Sequence, residues 1–440
     1  MQIEFPDRQR LTGASEVDAS DLPAFRRARR ERDQPAVEDV PAATVEALES
    51  IPELDALPDG AEVGITAGSR GIDALPAVLD TAVSELQDRG LEPFVMPAMG
   101  SHGGATAEGQ VETLASLGIT PETVGCEIRS SMDVTQVATG SDGRPVFASV
   151  DALDADAVLL VNRIKAHTDY VGDYESGLCK MAVVGLGKHR GAEEMHNAAL
   201  TRGFQAVIPE YASVLIEETP VVGGLGIIEN AEDRAAEIVG VPAGEILDRE
   251  PALLERSKDL LGTLPVDDLD LLVLEEMGKD VSGTGMDTNV VGRQWFHGQP
   301  EPDDAVDVTR IYVRSLTEAS HGNALGVGLA DFVHRDVVER VDFGDTYVNI
   351  ATSGEPRRAK LPFVVPTDDT VFRLLPSTTG VDPADLRIAI IPNTLDPDDL
   401  LVSEPVGAEL ESHPDVTLGD PEPLQFDDTG ELRSRFGSDG

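Results

Sequence analysis

The feature that most constrains the fold is a pair of successive strand, glycine-loop and helix units between Ala61 and Gly118. AEVGITA reads as a buried strand; GSRG ends it, and Leu75, Val78, Leu79, Ala82 and Leu86 then share one helix face. The pattern repeats at once. PFVMPA is the strand and GSHGG the loop, and Thr106 can cap a helix carrying Val111, Leu114 and Leu117 before Gly118 stops it. Such alternation predicts an α/β fold with mostly parallel sheets and helices on their faces. Ligands of such sheets gather at the carboxyl ends of the strands, where Arg70 and His102 stand.

A third strand, AVLLVN, delivers the chain into the stretch Asn162 to Asn197, NRIKAHTDYVGDYESGLCKMAVVGLGKHRGAEEMHN. It holds His167, His189 and His196 of eight histidines, and Lys165, Lys180 and Lys188 of six lysines, in a chain with 28 arginines. Lysine can be held neutral, form a covalent link or act as a compact charge, and arginine does the first two poorly or never. Clustered Lys and His between glycines therefore point to chemistry. MAVVGLGKHRGAEEMHN reads as an apolar run, a glycine turn and a helix, and VVGGLGII as a further strand.

A length of 440 residues predicts two domains. The helix Pro251 to Leu261 and the turn at Pro265 place the boundary, giving α/β domains at 1–264 and 265–416 and a loose acidic tail at 417–440, with an active site expected between the domains. The strand DLLVLEE opens the second domain and runs into MGKDVSGTGMDTNVVGR, a glycine-rich loop carrying Lys279; RIYV and RIAII follow as strands, with a helix from Thr367 to Leu375. On a helix, the arginine run Arg26 to Arg32 would form a solvated face paired with neighbouring acids, and it is not read as a binding site.

The net charge of -47 argues against nucleic acid and anionic membranes as partners, and suits a protein kept soluble in concentrated salt. No basic segment leads an apolar one at the start, and no apolar run approaches the roughly 18 residues that span a bilayer, so a cytoplasmic protein is expected. Two cysteines cannot build a disulfide framework, and Cys179 reads as a small buried hydrophobe.

GLGKHRG fails as a P-loop, because Ala182 and His189 occupy the places of the first glycine and the Ser or Thr. Gly185, Gly187 and Gly191 give a looser dinucleotide spacing, which keeps a nicotinamide-dependent dehydrogenase as an alternative. His102 and His167 each follow a strand end and titrate near neutrality. With Arg70 and Lys279 as cationic anchors, they suit an anionic substrate bearing an exchangeable hydrogen or hydroxyl. His196 has Leu200 at i+4, which excludes a HExxH site; a metal there would take most of its ligands from something the chain does not encode.

From Ala61 to Val402 the chain resembles the nickel-pincer lactate racemase family, most strongly in GSRG, GSHGG, AHTDY to EEMHN, and EEMGKDVSGTGMD. The resemblance implies a pyridinium mononucleotide, joined to Lys180 through a thioamide, that holds nickel in a sulfur-carbon-sulfur pincer with His196 as the fourth ligand. It implies His102 and His167 as paired acid/base residues, Arg70 and Lys279 at the substrate anion, Ser69 and Lys188 as cofactor contacts, and Glu276 as a polar substrate contact. The implied reaction is racemisation or epimerisation of a 2-hydroxy acid: one histidine takes the hydroxyl proton, and the C2 hydride leaves to the cofactor and returns to either face. The connection TDYVGDYESGLC differs from the turn of the characterised lactate racemase, so lactate or a larger 2-hydroxy acid fits. A small-molecule substrate is the implied partner, with room for a homo-oligomer. A non-catalytic protein carrying nickel or the nucleotide would use the same Lys180 and His196.

Overall fold

The computed structural model of the chain describes residues 4–69, 71–302, 305–353, 355–433 and 436. The chain forms two compact units, Gln34–Leu261 and Met1–Asp33 with Gly262–Gly440. The first 33 residues thus group with the later part of the chain. The cause is β1 (Phe25–Arg30), which is a strand of the second unit.

The unit Gln34–Leu261 is built on β2 (Glu62–Ala67), β3 (Glu92–Pro97), β4 (Ala157–Arg163), β5 (Val221–Glu229) and β6 (Ala235–Pro242). They lie in the order β3-β2-β4-β5-β6, parallel except for the antiparallel β5/β6 pair. Central strands of such a sheet are covered on both faces, which is why β2 is a nearly continuous apolar run and not an alternating one. The helix α1 (Leu75–Asp88) buries Leu75, Val78, Leu79, Ala82, Val83 and Leu86 on one face. At the start of α2 (Ala107–Ser116), the Thr106 hydroxyl accepts the Gly109 N–H at 3.1 Å, and the chain turns away through Gly118 at φ +78. The GSHGG loop folds back onto that first turn so tightly that a Cβ on Gly109 would lie 2.1 Å from the Gly103 oxygen. Because β3, β2 and β4 are parallel neighbours, the segments bearing His102, Ser69 and His167 leave the same edge of the sheet. The unit is completed by α3 (Lys188–Arg202), α4 (Phe204–Glu218) and α5 (Ile246–Leu260), the last starting a turn before the predicted Pro251.

The second unit has an eight-stranded sheet. Its strands are β1 with β7 (Leu271–Leu274), β8 (Ile311–Val313), β9 (Phe332–His334), β10 (Phe363–Val365), β11 (Ile388–Ile391), β12 (Asp399–Ser403) and β13 (Val416–Leu418). The order is β10-β9-β8-β7-β11-β12-β1-β13, parallel from β10 to β11 and antiparallel beyond. Both units are therefore α/β with mostly parallel sheets, as predicted. The arginine run is the antiparallel β1, not a helix face. Phe25 and Ala28 are buried, while Arg26 pairs with Glu404 at 2.9 Å, Arg27 with Asp399 at 2.7 Å and Arg32 with Asp398 at 2.7 Å.

The segment expected to be a loose tail is held down through residue 433. β13 pairs with β1, Leu424 and Leu432 are buried, and the Leu432 N–H donates to Asp368 at 2.7 Å. Asp368 is itself buried against Arg314 and the Tyr312 hydroxyl, so the tail supplies one more of the donors that a buried carboxylate requires. Among the described residues no helix is long and apolar enough to cross a membrane.

Candidate active site

The loop after β4 is closed by reciprocal backbone hydrogen bonds between Lys165 and Ser176, at 2.9 and 3.1 Å. Inside it the Glu175 carboxylate, 1% exposed, accepts the N–H groups of His167 and Gly172 and pairs with the Lys258 amine of α5 at 3.1 Å. Burial raises the Glu175 pKa, and these donors pull it back. The His167 ring accepts the Asp169 N–H at Nδ1, 3.0 Å away. A backbone N–H can only donate, so a neutral His167 carries its proton on Nε2.

That ring begins an aromatic stack. His167 lies 4.4 Å from Tyr170, Tyr170 lies 4.2 Å from Phe204 at the start of α4, and Phe204 meets the edge of His196 at 6.0 Å. The Lys180 amine stands 5.5 Å from the Tyr170 ring centre. Three predicted residues, His167, Lys180 and His196, are thereby gathered around Tyr170 and Phe204.

Lys180 ends one helical turn, Leu178–Lys180, which continues directly into a π-helix, Met181–Leu186. The turn begins at Gly177, whose Cβ would fall 2.5 Å from a Glu250 oxygen; the other Glu250 oxygen accepts the Cys179 N–H at 2.8 Å. Burial pushes the Glu250 carboxyl up to about 7 and the Cys179 thiol far above its usual range, so Cys179 is the inert buried group expected.

The apolar run MAVVGL is thus helical. The dinucleotide fingerprint needs a strand before its glycines, which removes the ground for the dehydrogenase alternative. Its glycines serve close packing: a Cβ on Gly185 would meet Met181 Sδ at 2.4 Å and Ala98 at 3.0 Å. Lys188, 1% exposed and at φ +53, donates from Nζ to the Pro97 carbonyl at 2.5 Å, and burial lowers its pKa to about 8. In this structure Lys188 is a strut from α3 to the end of β3.

His196, on α3, donates from Nδ1 to the Ala192 carbonyl at 2.7 Å, since a carbonyl can only accept. Its Nε2 therefore bears the lone pair of the neutral imidazole. Solvent reaches the ring, yet protein lies close enough for desolvation, then the Lys180 charge, to lower its pKa. Both effects favour the neutral, metal-binding form, in the arrangement by which a backbone carbonyl orients a ligating histidine. Among the described residues no group of three His, Cys, Asp or Glu side chains is placed to hold a metal. A metal on His196 would thus find no cluster of such side chains to complete its coordination among the described residues.

His102 Nδ1 lies 2.5 Å from the Ser69 hydroxyl. The loop bearing His102 packs on the π-helix, where a Cβ on Gly100 would meet Val184 at 2.8 Å. Arg70 lies outside the described residues. Lys279 and Glu276 belong to the other unit. There the Lys279 amine donates to the Gly283 carbonyl at 2.5 Å and lies 3.4 Å from Asn349 Oδ1, and Glu276 accepts from Asn393 at 3.1 Å.

Sequence reasoning missed Tyr170, Phe204, Glu175, Glu250 and Lys258. Lys258 alone left a signal, as a lysine kept in an arginine-rich chain.

No family model and no curated protein matches this sequence. Solved structures do match the fold. The lactate racemase apoprotein from Thermoanaerobacterium thermosaccharolyticum aligns with 86% of this chain and 95% of its own, with a TM-score of 0.52 and 12% sequence identity. The chain shares that protein's fold.

Proposed function

We propose that this chain is a cytoplasmic racemase or epimerase of a 2-hydroxy acid, adapted to high salt, with Lys180 carrying and His196 ligating a nickel-pincer nucleotide. The observation that carries the reading is the stack His167, Tyr170, Phe204, His196 with the Lys180 amine beside it. The donor set fits such a group. It offers one neutral imidazole with a free-standing lone pair and one primary amine, which suits a metal whose remaining ligands arrive with the nucleotide. When bound, that group supplies an acceptor for the hydride at the substrate's C2.

The chain's own residues handle the proton. Neutral His167 presents Nε2–H, and so donates a hydrogen bond to a substrate oxygen. His102 can do the converse. The Ser69 hydroxyl can accept from Nδ1–H, which leaves Nε2 as the base for the hydroxyl proton. Two neutral rings in opposite tautomers, one presenting N–H and the other a lone pair, supply the donor and the acceptor that proton transfer at the substrate hydroxyl needs. The Tyr170 face fixes the His167 ring, and buried Glu175 fixes its backbone.

The test is to incubate protein from its native host with single enantiomers of 2-hydroxy acids deuterated at C2. Conversion to the other enantiomer or epimer with deuterium kept at C2 is expected. A Lys180-modified protein that converts none of them would be a cofactor carrier.

A further inference from the structure

One helix, α5, touches both halves of the site. Near its start, Glu250 lies on the buried face with Ile246, Leu254 and Ser257, is 1% exposed, and accepts the Cys179 N–H at 2.8 Å. It thereby holds the first residues of the turn that ends in Lys180. About two turns later Lys258 pairs with Glu175, whose carboxylate in turn accepts the N–H of His167. About one turn before Glu250, the Tyr174 hydroxyl of the same loop donates to the Leu247 carbonyl at 2.7 Å.

We infer that α5 is the positioning element of the site: Lys258, acting through Glu175, sets the His167 loop, and Glu250 sets the Lys180 turn. The inference rests on the function proposed above for what these two residues do, but its geometry stands without it.

The cost of the arrangement argues against plain packing. Glu250 is 1% exposed, and taking a carboxyl that far from water costs stability relative to an apolar side chain of similar size. The Glu175 and Lys258 pair likewise places a nearly inaccessible carboxylate where an apolar contact would fill the same space more cheaply. Both carboxylates nonetheless take backbone N–H groups from the two segments that carry candidate chemistry. Lys258 also explains one lysine that lies outside the glycine-rich loops.

The experiment is amide hydrogen exchange on the full chain, comparing wild type with Lys258→Met and Glu250→Leu, with Lys258→Arg and Glu250→Gln as milder versions should either unfold. Lys258→Met is expected to speed exchange about tenfold or more in the segment holding His167 and Gly172 while leaving Cys179 to Leu186 unchanged. Glu250→Leu is expected to do the reverse. Exchange that rises evenly across Gln34–Leu261, or in neither segment, overturns the inference.

Turnover gives the second readout. Lys258→Met should lower kcat about tenfold or more with KM unchanged, and Lys258→Arg should restore it. A KM rise at constant kcat counts against positioning. Wild type lacking turnover on every hydroxy acid overturns the proposed function, and the exchange pattern then decides the role of α5 alone.

Discussion

Replacing His167 by alanine is expected to lower turnover by about 10²-fold or more while the Lys180 adduct and nickel stay in place, the loss typical of a missing general acid or base. The two effects separate because of what His167 touches. Its ring contacts Tyr170 and the Asp169 N–H, and its backbone N–H binds Glu175. The backbone contact survives the substitution, so the loop keeps its shape, and Tyr170 keeps Phe204 as a stacking partner. The check is kcat and KM alongside the intact mass and metal content of the same sample. Turnover within a factor of about 3 of wild type removes His167 from the proton chemistry.

Replacing His196 by alanine is expected to lower nickel affinity about 100-fold or more while leaving the mass increment on Lys180. Affinity should fall steeply because the described residues offer no cluster of side chains that could take over. The fold should tolerate the change. The ring is solvent-accessible, it meets Phe204 in an edge approach, and alanine is the better helix former within α3. Metal analysis and intact mass on the purified variant decide the matter. Nickel retained at the wild-type level would mean that its protein ligand lies elsewhere. Loss of metal and adduct together would mean that His196 is needed before the covalent link forms.

The strands and loops that build this site are the parts a reader of the sequence recovers most readily, for a physical reason. Parallel strands buried on both faces, such as AEVGITA and AVLLVN, are short, nearly continuous apolar runs. The same signal misleads at MAVVGL, which is equally short and apolar yet folds as a π-helix. Periodicity does not separate a buried strand from a buried helical turn of that length.

β1 was illegible for a different reason. Its arginines look like a solvated face until the carboxylates that pair with them are known, and those lie on β12 and in the segments beside it, at the far end of the chain. The tail was hidden in the same way, since it is ordered by Asp368 and by β1 and not by any periodicity of its own. Within the site, the chemical residues stood out by type, whereas Glu175 and Glu250 were indistinguishable from dozens of other acids in a chain carrying 81 Asp and Glu residues. Only burial separates those two from the solvated ones.

The measurement that tests the central claim most directly is the intact mass of protein purified in high salt from its native host, with nickel quantified on the same sample. The account predicts a mass increase that maps to a peptide containing Lys180, with about one nickel per chain. An unmodified Lys180 and no nickel, in a host shown to make the cofactor, would contradict it.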